Sequence, residues 1–227
     1  MGLEKHLKKM VAPIFRIYEN FIINRFHNIY YNGRFNERHI FKHTHWLEIP
    51  CIKCPLDIWI YQEIITEIKP DLIIETGTHL GGSALFMAHI LDIFDKGTIV
   101  SIDIETYSRT VHPRIQYITG SSTDRDLVES VVNQSKHDTC LVILDSDHSK
   151  DHVKREMDLL SDYVSVGSYL IVEDTNINGH PAYRKFGPGP YEAVVEFLSK
   201  NDDFVMDRSR EKFLMTFNPK GYLKRVK

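Results

Sequence analysis

A glycine-rich loop lies between Glu75 and Ser83, directly after a short apolar run and before a helical pattern. Gly77, Gly81 and Gly82 allow a tight turn and a close approach of the backbone to a ligand. Their spacing differs from the G-x-G-x-x-G fingerprint of dinucleotide sites, and the loop lacks the lysine of a phosphate-binding P-loop. The loop therefore fits neither of these two motifs, and a glycine turn without any ligand is the alternative to a binding site.

An acidic residue follows the next apolar run, where a Rossmann-like sheet holds ribose hydroxyls. This residue is Asp103, which comes 21 positions after Gly82. A carboxylate there accepts two hydrogen bonds, and charge-assisted bonds contribute roughly 1.5–3 kcal/mol each. Ser121 and Ser122 follow the third apolar run and could contact an adenine or a ribose.

A second acidic group is split between two later apolar runs. Asp145 and Asp147 follow the first of these runs, and Glu173 and Asp174 follow the second. Converging carboxylates raise one another's pKa unless a cation lies among them. Oxygen ligands without cysteine favour Mg²⁺, Mn²⁺ or Ca²⁺ over zinc. We therefore predict a metal site formed by Asp145, Glu173 and Asp174. Asp147 is the alternative to Asp145.

Two histidines follow these acids at a spacing of four residues. His148 and His152 resemble half of a zinc-protease motif, but Ser149 replaces its glutamate. We expect His148 to act as a general base or a substrate contact near the metal, with Asp147 as a second possible proton acceptor. His152 is expected on the surface of a helix.

Alternating strand and helix patterns position both groups. Short apolar runs predict buried strands at residues 71–75, 98–102, 115–118, 139–144 and 168–172. Helical periodicity predicts helices at residues 56–68, 83–93, 124–133, 150–163 and 190–198. Residues 204–206 and 213–217 are predicted to form a closing strand pair, and residues 220–227 a solvated basic tail. The alternation predicts a mainly parallel, doubly wound α/β sheet with a C-terminal antiparallel strand, and ligands beyond the carboxyl ends of its parallel strands.

Composition sets limits on the class of protein. The chain has 227 residues, 42% of them hydrophobic, and a net charge of −3, which suits one soluble domain and does not favour nucleic acid as a partner. An odd number of cysteines, three, argues against a disulfide framework and favours the cytoplasm. Cys51 and Cys54 have the spacing of redox and zinc sites, but we expect buried thiols.

Residues 1–45 are predicted to form a helical extension ahead of a domain at residues 46–227. Apolar side chains recur there at helical spacing, at Phe15, Tyr18, Phe21, Ile22, Phe26 and Ile29. Interspersed polar residues exclude a membrane span, and no signal-peptide cleavage site follows. The apolar face is expected to pack on its own domain or on a second subunit of a homo-oligomer, and a membrane surface is the alternative.

The glycine loop resembles the S-adenosylmethionine loop of Rossmann-like methyltransferases, in which an acid precedes two separated glycines and a serine. The resemblance implies that Glu75 lies near the amino group of this cofactor. The residues expected to contact the cofactor are Glu75, Gly77, Thr78, Gly81, Gly82, Ser83, Asp103, Ser121, Ser122 and Asp145.

Taken together, the motifs resemble the cephalosporin hydroxylase/rhamnosyl O-methyltransferase family over residues 44–217. The segments that carry the resemblance are residues 46–63, 70–78, 81–86, 172–181 and 187–194. It implies a Rossmann-like methyltransferase fold, a Mg²⁺-type site on Asp145, Glu173 and Asp174, and O-methylation in antibiotic or polysaccharide pathways. The pattern is also similar to catechol-type O-methyltransferases, which usually have Asp-Asn where this chain has Glu173-Asp174.

The predicted activity is therefore a metal-assisted methyl transfer from S-adenosylmethionine to a hydroxyl of a sugar, glycan or small polyol. A nicotinamide-dependent oxidoreductase on the same fold is one alternative, which the glycine spacing disfavours. A non-catalytic binding or assembly subunit, associating through the N-terminal helix, is the other.

Overall fold

A long helix and two short hairpins precede the main sheet in this computed structural model, which describes residues 2–134 and 137–227. Helix α1 extends over Gly2–Asn32. The hairpins pair β1 (Arg34–Phe35) with β2 (Arg38–His39) and β3 (His45–Trp46) with β4 (Ile49–Pro50). Each hairpin turns through two residues with positive φ, as two-residue hairpin turns of the mirror-image type require.

Seven strands form the main sheet. In chain order they are β5 (Leu72–Thr76), β6 (Thr98–Asp103), β7 (Ile115–Thr119), β8 (Cys140–Leu144), β9 (Tyr169–Val172), β10 (Phe204–Met206) and β11 (Tyr222–Arg225). Their spatial order is β7-β6-β5-β8-β9-β11-β10. Strands β5 to β9 pair in parallel, and β11 runs antiparallel to both of its neighbours. The predicted doubly wound sheet with a C-terminal antiparallel strand is confirmed.

Helices cover both faces of this sheet. They are α2 (Pro55–Ile68), α3 (Gly82–Phe94), α4 (Arg125–Val132), α5 (Lys150–Leu160) and α6 (Pro190–Leu198). Alternate residues of β5 enter different cores: Leu72 and Ile74 pack with α4, α5 and α6, whereas Ile73 packs with α2 and α3. This two-sided burial explains why the central strands are continuous apolar runs.

The strand order reverses at β5, and this reversal decides where a ligand can bind. The chain proceeds from β5 to β6 and β7 on one side and then returns to place β8 on the other side of β5. Helices that cross the sheet on opposite faces leave a crevice at such a point, outside the carboxyl ends of the strands. The glycine loop after β5 and the acids after β8 therefore lie at the same crevice.

The C-terminal segment differs from the sequence prediction. Residues 213–217 form no strand, and the partner of β10 is β11, which lies in the segment predicted to be a solvated basic tail. Tyr222 and Leu223 are fully buried, because β11 lies between β9 and β10. The charges of Lys220, Lys224 and Arg225 obscured this short apolar pair in the sequence.

The end of α1 packs against the C-terminal segment. The His27 ring stacks on Phe217 at 5.6 Å between centroids, and Tyr31 meets the same ring edge-on at 5.0 Å. Cys54 and Met215 complete this small apolar cluster. The division of the chain at residue 45 stays a prediction.

Among the described residues, the structure contains no helix that is both long enough and apolar enough to span a membrane.

Candidate active site

Gly77 lets the end of β5 pass the end of β8. Its φ is +80°, and a Cβ atom added there would lie 1.8 Å from the backbone oxygen of Asp145. Gly82, the first residue of α3, also packs closely against backbone, since an added Cβ atom would lie 2.2 Å from the carbonyl oxygen of Pro50. These glycines are required for packing between backbones, which also brings the loop and the acid group together.

Glu75 lies beneath the loop, within the core. It is fully buried and accepts hydrogen bonds from the hydroxyl groups of Ser83 and, at 2.6 Å, Ser101. Thr78 joins the same network through a 2.7 Å hydrogen bond with Ser101. Burial raises the pKa of Glu75, and the nearby Lys53 ammonium opposes that rise. In the structure, Glu75, Thr78 and Ser83 therefore hold the loop in shape from below.

Asp103 ties the glycine loop to the end of β6. Its carboxylate accepts the backbone N–H of His79 at 2.7 Å and that of Glu105 at 2.9 Å. Arg109 lies 3.5 Å from the same carboxylate. These contacts fix the orientation of a carboxylate that lines the crevice.

A cavity of about 760 Å³ occupies this crevice. Five of the predicted cofactor contacts line it, namely Gly77, Asp103, Ser121, Ser122 and Asp145. Asp147, His148 and Asp174 line the same cavity. The loop and the acid group, separate in the sequence, thus form one site.

The far wall of the cavity is apolar and aromatic. It is built by Tyr31, Phe41, Ile52, Ile177, Tyr183 and Phe186. Tyr31 and Phe41 belong to the N-terminal extension, and sequence reasoning assigned them no role at the site. Burial raises the pKa of Tyr31, as do the nearby Asp174 and Asp145, so its phenol stays neutral beside the acids.

Three side chains at the base of the cavity could hold a cation together. One ligand atom from each of Asp145, His148 and Asp174 lies within 4.8 Å of the other two. His148 Nε2 is 3.2 Å from Asp174 Oδ2. Two of the three predicted metal ligands are therefore in this group, and His148 completes it. Of the two acids proposed after β8, Asp145 belongs to this group and Asp147 does not, and the choice of metal ligand stays a prediction.

Glu173, the third predicted ligand, faces a different partner. Its carboxylate accepts hydrogen bonds from the Lys53 ammonium and the Tyr61 hydroxyl, and its side chain is buried. Lys53 also donates to Asp145, so one buried ammonium bridges two of the predicted metal ligands. Consecutive residues after a strand point in different directions, which explains why Glu173 and Asp174 diverge.

Sequence reasoning missed Lys53, although it lies between Cys51 and Cys54. A lysine within an apolar segment could have indicated this contact, because a buried ammonium group requires an acidic partner. Burial by itself would lower the pKa of Lys53, but Asp145 and Glu173 hold it well above its usual value. All three cysteines are buried and free, as expected.

The acids carry raised pKa values for one dominant reason. Burial raises the pKa of Asp145 to about 6, against the opposing charge of Lys53. It raises the pKa of Glu173 to about 7, with repulsion from Asp145 adding to the effect. The pKa of Asp174 also rises through burial, and His148 opposes that rise. A divalent cation would stabilise the ionised form of such buried carboxylates and lower their pKa values.

Asp147 and His152 have local partners. Asp147 accepts the backbone N–H of Ser149 at 2.7 Å in the turn before α5. The side-chain hydrogen bond of Ser149, together with this backbone N–H, holds the pKa of Asp147 below its usual value. His152 was expected on the helix surface, but it lines the cavity, 3.1 Å from the hydroxyl of Ser146. Its ring also lies 3.5 Å from the buried Glu156.

The donor set fits the groups that the sequence predicts. Two carboxylates and one imidazole within 4.8 Å of one another suit a divalent cation, and oxygen donors favour Mg²⁺ or Mn²⁺. The cavity exceeds the roughly 300 Å³ at which ligand pockets begin, and Asp103 and two serines line it. A nucleoside-bearing cofactor therefore fits at the loop end.

The strand order, the antiparallel β11 and the cavity at the strand ends define a Rossmann-like methyltransferase fold. A model of the rhamnosyl O-methyltransferase/CmcI family matches residues 38–226. Accordingly, the chain belongs to this family, and the resemblance seen in the sequence is confirmed.

Individual relatives agree with this assignment. A rhamnosyl O-methyltransferase of Mycobacterium bovis is 36% identical over 98% of this chain and 93% of its own length. One from Mycobacterium leprae is 38% identical, covering 89% of this chain and 90% of its own. The structure of CmcI with magnesium and S-adenosylmethionine has a TM-score of 0.65 at 20% identity, covering 86% of this chain and 82% of that one. The last similarity concerns the fold.

Proposed function

We propose that this protein transfers the methyl group of S-adenosylmethionine to a hydroxyl of a sugar, with the assistance of a divalent cation. One observation carries the proposal. The carboxylate of Asp103 and the group formed by Asp145, His148 and Asp174 line the same cavity. A methyl donor at one end and an activated hydroxyl at the other can therefore meet within a single cavity.

The cofactor is assigned to the loop end. Asp103 accepts hydrogen bonds from ribose hydroxyls, and Ser121 and Ser122 lie beside the nucleoside. Gly77 holds the loop close to the end of β8, because any side chain there would collide with the backbone of Asp145. The buried Glu75 acts from below by holding Ser83 and the start of α3 in place.

The base of the cavity is assigned to the acceptor hydroxyl. Asp145 and Asp174 would hold the cation, which would supply a lower pKa for the hydroxyl and a fixed orientation. Glu173 can join them only if the cation replaces Lys53 at its carboxylate. His148 accepts the proton of the hydroxyl, because Mg²⁺ prefers oxygen ligands and leaves the imidazole free for this role.

A sugar suits the cavity better than a flat catechol on two grounds. The aromatic wall formed by Tyr31, Phe41, Tyr183 and Phe186 can pack against the C–H face of a sugar ring, while the acids bind its hydroxyls. The mycobacterial relatives are named for a rhamnosyl acceptor. We therefore assign the acceptor to the glycosides, either free or part of a glycan.

A methyl-transfer screen tests this proposal. Purified protein is incubated with S-adenosylmethionine and either rhamnosides or catechols, with Mg²⁺ and with a chelator. We expect methylated rhamnoside by mass spectrometry only in the presence of the metal. Transfer at an unchanged rate with the chelator would remove the cation from the proposal, and transfer to catechols alone would remove the sugar.

Asp174→Asn tests the cation's position. Loss of a carboxylate that lies next to His148 is expected to lower the transfer rate by about 100-fold or more, since a bound metal contributes several kcal/mol to the transition state. Asp151→Asn makes the same chemical change at an exposed position in the first turn of α5 and serves as the control. Equal rates in the two variants would contradict the assignment.

Calorimetry separates the proposed function from the nicotinamide-dependent alternative. We expect heat of binding with S-adenosylmethionine and none with a nicotinamide dinucleotide.

We also propose that the protein works in the cytoplasm, because its three cysteines are free thiols and a reducing compartment keeps thiols free. Homo-oligomerisation stays a prediction.

A further inference from the structure

Helix α1 presents its apolar side chains to solvent. We define the apolar stripe as Phe15, Tyr18, Phe21, Ile22, Phe26 and Ile29, which recur at spacings of three and four residues. In the described part of the chain all six are exposed, with Phe15, Tyr18 and Phe21 more than 60% exposed. The stripe found in the sequence is therefore not covered by its own domain.

The opposite side of the same helix packs on the protein through His27, Tyr30 and Tyr31. His27 is buried and hydrogen-bonds with Asn176 at 2.8 Å. Asn20 and Asn24 line a polar cavity between α1 and residues 179–181 and 208–220. An ordinary surface helix buries its apolar face and exposes its polar one. The exposed apolar stripe departs from that pattern, which indicates that something outside the described chain covers it.

The charges around the stripe indicate which partner this is. Residues 1–34 contain six basic side chains (Lys5, Lys8, Lys9, Arg16, Arg25 and Arg34) but only two acidic ones, Glu4 and Glu19. The whole chain has a net charge of −3, so this segment differs in sign from the rest. A basic helix with aromatic side chains on its apolar face is typical of peptides that lie on anionic bilayers.

A second copy of the chain fits this surface less well. Pairing two copies of α1 would bring two basic segments together and cost electrostatic energy. Arg25 also lies within the stripe, four residues after Phe21 and four before Ile29. Between two helices its charge would be buried without a partner, whereas on a bilayer its long side chain can reach the lipid phosphates.

We propose that the apolar stripe of α1 docks this protein on a bilayer surface that contains anionic lipid. The aromatic and aliphatic side chains enter the interface, and the exposed guanidinium groups of Arg16 and Arg25 contact phosphate groups. The helix lies on the surface and does not cross it. This docking is independent of methyl transfer and would operate with any acceptor.

Vesicle flotation with the full-length chain tests the proposal. We expect the protein to float with vesicles of phosphatidylcholine mixed with phosphatidylglycerol, and far less with phosphatidylcholine alone. Added salt should weaken the binding, because it screens the charges. Ile22→Glu should weaken binding to the mixed vesicles by about tenfold or more, since it places a carboxylate in the apolar interface.

Ile93→Glu is the matched control, because Ile93 is 75% exposed on α3, outside the stripe. It should bind as the unchanged protein does, and circular dichroism should show both variants folded. The proposal is overturned if neither vesicle type binds or if Ile22→Glu floats as well as the control. It is also overturned if light scattering finds an oligomer that Ile22→Glu dissociates, because a second copy would then cover the stripe.

Discussion

At the scale of single residues, the site is organised by a buried lysine. The Lys53 ammonium contacts Asp145 and Glu173, which are 92 and 120 positions away in the chain. It offsets part of the negative charge that four acids (Glu75, Asp145, Glu173 and Asp174) bring to the carboxyl ends of the sheet. Without a cation, this contact lets the buried carboxylates coexist.

Lys53→Met tests that role. We expect a loss of stability of about 3–5 kcal/mol in the presence of a chelator, because breaking a buried ion pair leaves its acids without compensation. Mg²⁺ should then raise the melting temperature of the variant more than that of the unchanged protein, since a cation can replace the missing ammonium. Differential scanning calorimetry with and without Mg²⁺ measures both effects.

The control for this experiment is Lys42→Met. Lys42 also lines the cavity, but its side chain is exposed. Its replacement should leave the melting temperature and its Mg²⁺ response nearly unchanged. If Mg²⁺ stabilised Lys53→Met no more than the unchanged protein, the two acids would not be competing for a cation.

At the scale of elements, the close crossing of β5 and β8 depends on Gly77. Gly77→Ala should destabilise the protein by about 3 kcal/mol or more, because a left-handed backbone conformation and a backbone collision act together. Gly187→Ala shares the positive φ, here +103°, but its Cβ would meet nothing within 4 Å. That control should lose only about 1–2 kcal/mol.

Urea unfolding measures both losses. Equal losses would mean that the backbone conformation alone, and not the contact with Asp145, makes glycine necessary at position 77.

The start of α2 is tied to the C-terminal segment by a buried acid. Asp57 accepts the backbone N–H of Phe217 at 2.8 Å and the hydroxyl of Tyr222 at 2.9 Å. Burial raises the pKa of Asp57 to about 7, although these donors oppose the rise. The folded state therefore binds the proton more tightly than the unfolded chain, in which aspartate has a pKa of about 3.9.

Asp57→Asn should change the pH dependence of stability. In the unchanged protein the contribution of Asp57 is fully present below about pH 4, where both states are protonated. It is lost as the pH rises to about 7, because the unfolded state releases its proton first. The asparagine cannot titrate, so the free energy of unfolding should fall less steeply between these pH values.

Urea unfolding at several pH values from about 4 to 8 measures this slope. Glu67→Gln is a suitable control, because Glu67 is exposed and Arg210 lowers its pKa. Its contribution to the free energy of unfolding therefore increases with pH, opposite to that of Asp57. A slope unchanged by Asp57→Asn would mean that Asp57 stays ionised in the folded protein.

At the scale of the whole molecule, the last strand connects two parts of the sheet. Strand β11 pairs with β9 on one side and with β10 on the other, so its removal would separate β10 from the sheet. Tyr222 and Leu223 are fully buried on opposite faces. A chain that ends before Tyr222 should therefore show no cooperative unfolding transition by circular dichroism.

Removal of Lys227 alone is the control, because this residue follows β11 and is exposed. It should leave the melting temperature within a few degrees, which corresponds to roughly 1 kcal/mol in a domain of this size. A cooperative transition in the longer truncation would show that the sheet is stable without β11.

The sequence alone determined the alternating architecture and the positions of the loop and the acids. Strands β5 to β9 are short apolar runs bounded by glycine, proline or acidic residues, and such signals are local. The glycine spacing disfavoured a dinucleotide site, and the positions of Asp103, Asp145 and Asp174 at the carboxyl ends of strands followed from the parallel pattern. The family resemblance rests on the same segments.

The tertiary structure alone decided which side chains meet. Contacts between distant elements determine the partners of Lys53, Glu173 and His148, and no local sequence pattern contains that information. The same holds for β11, whose two buried residues are too few for a periodic signal and acquire their meaning from β9 and β10. Only the tertiary structure shows that the Glu75 carboxylate accepts hydrogen bonds from the hydroxyls of Ser83 and Ser101, and its cofactor contact stays a prediction.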